Sequence, residues 1–141
     1  MLFLVAVPTY QRLQRKARTA AVVNDFSTFA TAFQAHAHDA GSWPIETAGG
    51  VVPPGMTSQE LKSDNWTRTT PIGGKFDWEN NQLHLGTRFR AAIAITDAAG
   101  APLKLDYDQF LDIDQTIDDG NLTTGNFRLG FGDCPLFVIE P

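Results

Sequence analysis

The stretch LFLVAVPTYQRLQRKARTAAVVNDFSTFATAFQAHAHDA, residues 2–40, decides the fold of this chain. In its second half, large apolar side chains recur at intervals of four, three and four residues: Val22, Phe26, Phe29 and Phe33. Such spacing places them on one face of an α-helix, the pattern of a helix that lies on a hydrophobic core. Gly41 and Pro44 then favour an end to the helix. The sequence therefore predicts one long helix over residues 2–40.

Two segments precede this aromatic stripe. The first is an apolar tip, formed by Leu2, Phe3, Leu4, Val5, Val7 and the Pro8 that interrupts it. The second is a basic neck, formed by Arg12, Arg15, Lys16 and Arg18. We predict that residues 1–22 form the exposed apolar and basic part of the helix. Residues 23–141 are predicted to form the globular domain.

Charge is distributed unevenly between these parts. Residues 1–24 hold four basic and no acidic side chains, a formal charge of +4. Residues 25–141 hold seven basic and sixteen acidic side chains, a formal charge of −9. A basic segment beside an apolar tip suits an anionic membrane surface or an acidic protein neighbour. The acidic body argues against nucleic acid as a partner, because it would repel phosphate.

The rest of the chain predicts a small antiparallel sheet and one further short helix. Strands are expected at 75–79, 82–85, 88–96, 127–131 and 136–139. Asn80 and Asn81 are expected to form a hairpin turn, since asparagine tolerates positive φ. Asp106 begins the predicted helix over 106–119 as its N-cap. The fold class is therefore α+β, with a long N-terminal helix packed on a small antiparallel sheet.

The order of tip, neck and aromatic stripe, closed by Gly41-Ser42-Trp43-Pro44, resembles the N-terminal helix of type IV pilins and type II secretion pseudopilins. Residues 70–78 (TPIGGKFDW) and 118–122 (DDGNL) are similar to the globular part of small bacterial pilin-like proteins. The resemblance implies a pilin-like fold and a structural subunit of a type IV pilus or pseudopilus filament. Assembly would proceed through the N-terminal helix.

The resemblance carries further expectations about location and partners. It implies an anchor in the inner membrane before assembly, with the globular domain in the periplasm or at the cell surface, and a methylated N-terminus. The expected partners are identical or different filament subunits. The family's mature chain begins with a longer apolar run that carries a glutamate and follows a leader ending in glycine. The six apolar residues from Leu2 to Val7 fall short of the ~20 that span a membrane, so we expect the natural start to lie upstream of Met1.

One segment combines several hard oxygen donors in a tight turn: Asp118, Asp119 and Asn121, followed by Thr123. Oxygen ligands of this kind are those that calcium requires. Some major pseudopilins hold calcium in a loop near the carboxyl end, so the resemblance makes this site relevant. The alternative is that Asp-Asp-Gly simply ends the preceding helix. No other cofactor is predicted.

Catalytic arrangements find little support. Asp108 and Asp112, or Asp114 and Asp118, lie four apart on a predicted helix, but such carboxylates usually form a solvated face. General acid–base chemistry also needs a pocket and shifted pKa values. The histidines are predicted to lie at the surface or at helix ends. The chain is therefore expected not to be an enzyme.

The principal alternative function is a membrane-tethered extracytoplasmic binding module. Trp43 and Trp78 are expected in the core, whereas Trp66, among polar neighbours, is expected at the surface. Together with the Gly- and Pro-rich segment over 45–57, Trp66 would then form a ligand face. Ligand binding by a strictly monomeric protein would favour this alternative over a filament subunit.

Overall fold

The computed structural model describes the backbone of residues 2–141 and the side chains from Thr9 onward. Its elements in chain order are α1 (Leu2–Ala40), α2 (Ser63–Thr67), β1 (Lys75–His84), β2 (Thr87–Thr96), α3 (Tyr107–Ile117), β3 (Phe127–Leu129), a short 3₁₀ helix (Phe131–Asp133) and β4 (Pro135–Glu140). The side chains of the predicted apolar tip, Leu2, Phe3, Leu4, Val5, Val7 and Pro8, lie outside this description. The predicted α+β class, with a long N-terminal helix, a small sheet and a short helix, is confirmed.

The end of α1 follows the local chemistry that the sequence indicated. The N–H of Gly41 donates to the carbonyl of Ala37 at 2.8 Å, and Gly41 has a φ of +83°. Glycine adopts this left-handed conformation without a steric penalty. The helix consequently stops at Ala40, and the chain turns back along the sheet.

The four strands form one antiparallel sheet in the order β1-β2-β4-β3. The predicted turn at Asn80 and Asn81 is wrong, because β1 runs through both residues. Asn81 does have a positive φ of 57°, but the ladder resumes in the same register at Gln82. The chain reverses instead at Leu85 and Gly86, which have φ values of 48° and 85°.

The aromatic stripe of α1 packs on one face of the sheet, which we call the inner face. Phe33 stacks on Trp78 with ring centroids 4.0 Å apart, and Phe29 meets Phe76 edge-on at 4.9 Å. Val22, Phe26, Phe29 and Phe33 are all buried, as the helical spacing predicted. Aromatic rings in these offset and T-shaped arrangements add to the stabilisation from burial. This layer forms the main core.

Trp66 belongs to the same core, so its predicted surface position is wrong. It lies on α2, is fully buried, and contacts Phe29 at a centroid distance of 5.1 Å. Its ring N–H donates to the carbonyl of Val51 at 2.9 Å. Satisfying that one polar atom allows the whole indole to be buried. The polar residues next to Trp66 in the sequence belong to the more exposed side of this short helix, whereas Trp66 is on its buried side.

Helix α3 is the helix that the sequence predicted over 106–119, and it begins and ends close to those bounds. Asp106 is the N-cap of α3, and its carboxylate accepts the N–H of Gln109 at 3.3 Å. Phe110 and Ile113 are buried in the core, as their shared face predicted. The apolar side of α3 therefore packs in the core beside α1. A loop follows the carboxyl end of the helix.

Candidate functional site

The basic neck divides into two pairs of side chains. Arg15 and Arg18 are partly buried and turn toward α3, whereas Arg12 and Lys16 are exposed. Among the described contacts, Arg12 and Lys16 have no salt-bridge partner. The exposed pair is free to meet an acidic surface or anionic group from outside the chain.

A buried glutamine joins the neck to α3. The Nε of Arg18 donates to Gln109 Oε1 at 2.9 Å, and Gln109 Nε2 donates to the Arg15 carbonyl at 3.1 Å. The same nitrogen donates to Thr19 Oγ1 at 2.7 Å. Gln109 is only 2% exposed, so these bonds satisfy an amide that water cannot reach. They fix the point at which α1 leaves the globular domain.

This junction places the exposed part of α1 earlier than the sequence indicated. Thr19 and Val22 are both buried, although they fall within the predicted exposed range of residues 1–22. They are covered because α3 packs beside this turn of α1. Before it, Tyr10 and Leu13 are 62% and 60% exposed. The division of the whole chain at residue 22 remains a prediction.

Two residues of the predicted calcium segment, Asp118 and Asp119, form a cluster with Asp114 from the last turn of α3, and we call this cluster the carboxylate loop. Each residue offers one oxygen, and the three oxygens lie within 4.8 Å of one another. Asp114 was expected on a solvated face, yet it is fully buried because the loop folds back over the end of α3. Its Oδ1 accepts the N–H of Gly120 at 3.2 Å, whereas its Oδ2 is buried without a hydrogen-bond partner.

The carboxylates of Asp118 and Asp119 already accept hydrogen bonds from nearby backbone groups. Asp118 accepts the N–H of Phe127 at 3.0 Å, and Asp119 accepts the N–H of Asn121 at 2.9 Å. Burial raises the pKa of Asp114 to about 6, and a hydrogen bond from Thr124 lowers the pKa of Asp119. The shifts differ in sign because burial away from water dominates at Asp114, whereas hydrogen bonds to the charged form dominate at Asp119.

The side chain of Asn121 is engaged within the turn that follows the carboxylates. Its Oδ1 accepts both the N–H and the hydroxyl of Thr123, at 3.0 and 2.7 Å. Gly125 lets the carboxylates pack against its backbone, because a Cβ at this position would clash with Asp118 Oδ2. The structure thus adds Asp114 to the candidate ligands, and the roles of Asp118, Asp119 and Asn121 as ligands stay predictions. The four-residue spacing of Asp114 and Asp118 is the sequence signal that could have predicted that these two carboxylates lie close together.

None of the described helices contains an apolar stretch long enough to cross a bilayer.

Comparisons with known proteins identify the fold. No protein-family model matches the chain, and no curated protein matches it. Among solved structures, the major type IV pilin PilA1 from Clostridium difficile superposes with a TM-score of 0.56 and 17% sequence identity. The match covers 90% of this chain and 97% of the pilin chain. The chain therefore has a type IV pilin-like fold, as its sequence resemblance implied.

Proposed function

We propose that this protein is a structural subunit of a filament of the type IV pilus or type II secretion pseudopilus kind, and that it assembles through α1. The observation that carries the proposal is the unequal packing of this helix. One face of its carboxyl half is buried in the core, whereas the turns from Thr9 to Gln14 are exposed. An extended helix with exposed Leu13 and Tyr10 suits burial between neighbouring subunits.

Charge supports the same mode of assembly. The exposed Arg12 and Lys16 belong to a segment of charge +4, and the rest of the chain carries −9. Opposite charges on two ends of one molecule favour head-to-tail contacts between identical copies, which form open helical assemblies when the rotation does not close. In this proposal, the subunit is held in the inner membrane before assembly and exposes its globular domain outside the cytoplasm.

Electron microscopy of the purified full chain tests this proposal. We expect filaments from the unaltered protein and far fewer from the charge-reversed Arg12→Glu/Lys16→Glu variant. Lys62→Glu/Lys104→Glu is the matched control, because it reverses two exposed lysines of the globular domain. Both double variants change the net charge equally. Absence of filaments from the unaltered protein, or equal loss in both variants, would contradict assembly through the neck.

We further propose that the carboxylate loop binds calcium, with Asp114, Asp118 and Asp119 as ligands. The unpartnered Oδ2 of Asp114 supports the proposal, since a buried carboxylate oxygen without a donor is destabilising. A bound cation would supply the missing positive charge and hold the carboxyl end of α3 to the start of β3.

Thermal unfolding with and without calcium tests the site, because a ligand of the folded state raises its stability by RT ln(1 + [L]/Kd). We expect calcium to raise Tm in the unaltered protein and the rise to shrink in Asp119→Asn. Asp39→Asn, an exposed acid on α1, is the control and should retain the full response. An equal calcium response in Asp119→Asn and the unaltered protein would exclude the carboxylate loop.

A further inference from the structure

A small cavity lies beside α1 at the loop that leads into α3, and we call it the junction cavity. Its volume is about 180 Å³. Pockets for drug-sized ligands measure about 300–1,000 Å³, so this one suits a smaller group. Six residues from three segments of the chain line it: Arg18, Pro71, Ile72, Lys104, Asp106 and Gln109.

Two cationic side chains of the junction cavity lack a counter-ion. The Nε of Arg18 donates to Gln109, but none of the described hydrogen bonds or ion pairs engages its two terminal nitrogens. The exposed ammonium group of Lys104 likewise has no partner among the described ion pairs. Asp106 contributes the only carboxylate of the lining, and this group caps α3. Two cations and one carboxylate give the lining a formal charge of +1, beside a domain that carries −9.

The guanidinium group of Arg18 is also held in a fixed direction. The amide of the buried Gln109 is anchored at its nitrogen, which donates to the Arg15 carbonyl and to Thr19 Oγ1. Its oxygen then accepts the Nε of Arg18 at 2.9 Å. A network whose members are all satisfied in this way is rigid. Arg18 itself is partly buried, where a positive charge is costly unless an opposite charge compensates it.

We propose that the junction cavity binds a phosphoryl group, as inorganic phosphate or as a small phosphomonoester, with Arg18 and Lys104 as its ligands. The planar fork of a guanidinium matches two phosphate oxygens, and a lysine binds a further oxygen as a point charge. A phosphomonoester carries about −1.5 to −2 charges at pH 7 and three acceptor oxygens. Two cations from different segments suit such a group. A carboxylate has one charge and two oxygens, which Arg18 alone would satisfy.

The remaining lining indicates what the bound group would do. Ile72 is buried and Pro71 half-buried, so they form an apolar wall against which the carbon atoms of an ester would pack. The phosphoryl group would join Arg18 on α1 to Lys104 on the loop before α3. These are the two elements that Gln109 already links. A bound phosphate would therefore reinforce the point at which α1 leaves the globular domain.

Amide NMR of the monomeric full chain at pH 8 tests the site, with inorganic phosphate and methyl phosphate added separately at constant ionic strength. Both should shift the signals of residues 71–72 and 104–109 to saturation, because these residues line the cavity or adjoin it. Lys104→Gln should weaken the affinity about tenfold, as expected for the loss of one charge-assisted hydrogen bond. Lys62→Gln is the matched control, because it removes an exposed lysine that does not line the cavity. It should leave the affinity unchanged.

Asp106→Asn should change the affinity in the opposite direction. It removes the negative charge from the lining but keeps a residue that caps helices well, so the variant should fold and bind phosphate several-fold more tightly. The two ligands distinguish the source of the phosphoryl group. Methyl phosphate that binds at least as tightly as inorganic phosphate identifies a phosphomonoester, and binding of inorganic phosphate alone identifies the free ion.

Three results would overturn the proposal. The first is the absence of saturable shifts with both ligands, and the second is equal affinity in Lys104→Gln and Lys62→Gln. The third is an affinity in Asp106→Asn that is no higher than in the unaltered protein. Because binding is measured on the monomer, none of these results bears on filament assembly, and a failure to form filaments would leave the phosphate site intact.

Discussion

The two halves of α1 share one continuous helix but differ in almost every contact. From Thr19 to Phe33 its inner side is buried against the sheet and α3, with aromatic rings on both sides of the contact. From Thr9 to Gln14 its side chains are exposed. Helical geometry is therefore not what distinguishes them. The difference lies in whether the globular domain extends far enough to cover the helix.

The two halves of α1 therefore contribute differently to the hydrophobic core. The carboxyl half supplies the core, without which the sheet would have no partner for its inner face. The amino half contributes little to that core and keeps apolar and basic groups accessible. A stable helix turn without tertiary support is unusual in a monomer, because packing of an amphipathic face supplies most helical stability in proteins. In the proposed filament, neighbouring subunits would supply that support to the exposed turns from Gln11 to Gln14.

The largest expected effect comes from the buried half. Phe29 contacts Trp66 and Phe76 and is only 2% exposed, so Phe29→Ala should lower the free energy of unfolding by about 3–5 kcal/mol. Chemical denaturation of the full chain measures this change. A loss within about 0.5 kcal/mol, as at ordinary surface positions, would show that the stripe does not form the core.

A smaller effect is expected at the border between the halves. Gln109→Ala removes the amide that joins Arg18, Thr19 and the Arg15 carbonyl, and should lower the free energy of unfolding by about 1–3 kcal/mol. Gln115→Ala, an exposed glutamine on the same helix, is the control and should change it by less than about 0.5 kcal/mol. Equal losses in both variants would mean that the junction has no special role.

The smallest effect on stability is expected in the projecting half. Leu13→Ala should change the free energy of unfolding by less than about 0.5 kcal/mol, since Leu13 is 60% exposed. The same variant should nevertheless reduce filament formation in electron micrographs. A loss of stability comparable to that of Phe29→Ala would remove the distinction between the halves altogether.

The sequence predicts most reliably the features that depend on neighbours a few residues away. The stripe from Val22 to Phe33, the stop at Gly41 and the cap at Asp106 are all confirmed. Each follows from helical period or from local backbone chemistry. The hairpin was misplaced for a related reason, because positive φ at Asn81 is a local property that β1 accommodates without turning.

Residues whose surroundings depend on distant segments were harder to predict. Asp114 lies on the polar side of α3 in sequence, but the loop after Asp118 returns and covers it. Trp66 has polar neighbours in the sequence, yet its ring packs between α1 and the sheet. Glu46 and Asp77 come together only because the chain after α1 folds back along β1. No periodic pattern contains such information.

Hydrogen exchange of the backbone amides in α1, compared between the monomer and the assembled filament, tests assembly through this helix most directly. In the monomer, residues 22–40 should exchange slowly and residues 10–17 quickly, because only the first range is covered by the globular domain. On assembly, residues 10–17 should become strongly protected, with little change over 22–40. Filaments in which residues 10–17 still exchange as quickly as in the monomer would contradict assembly through α1.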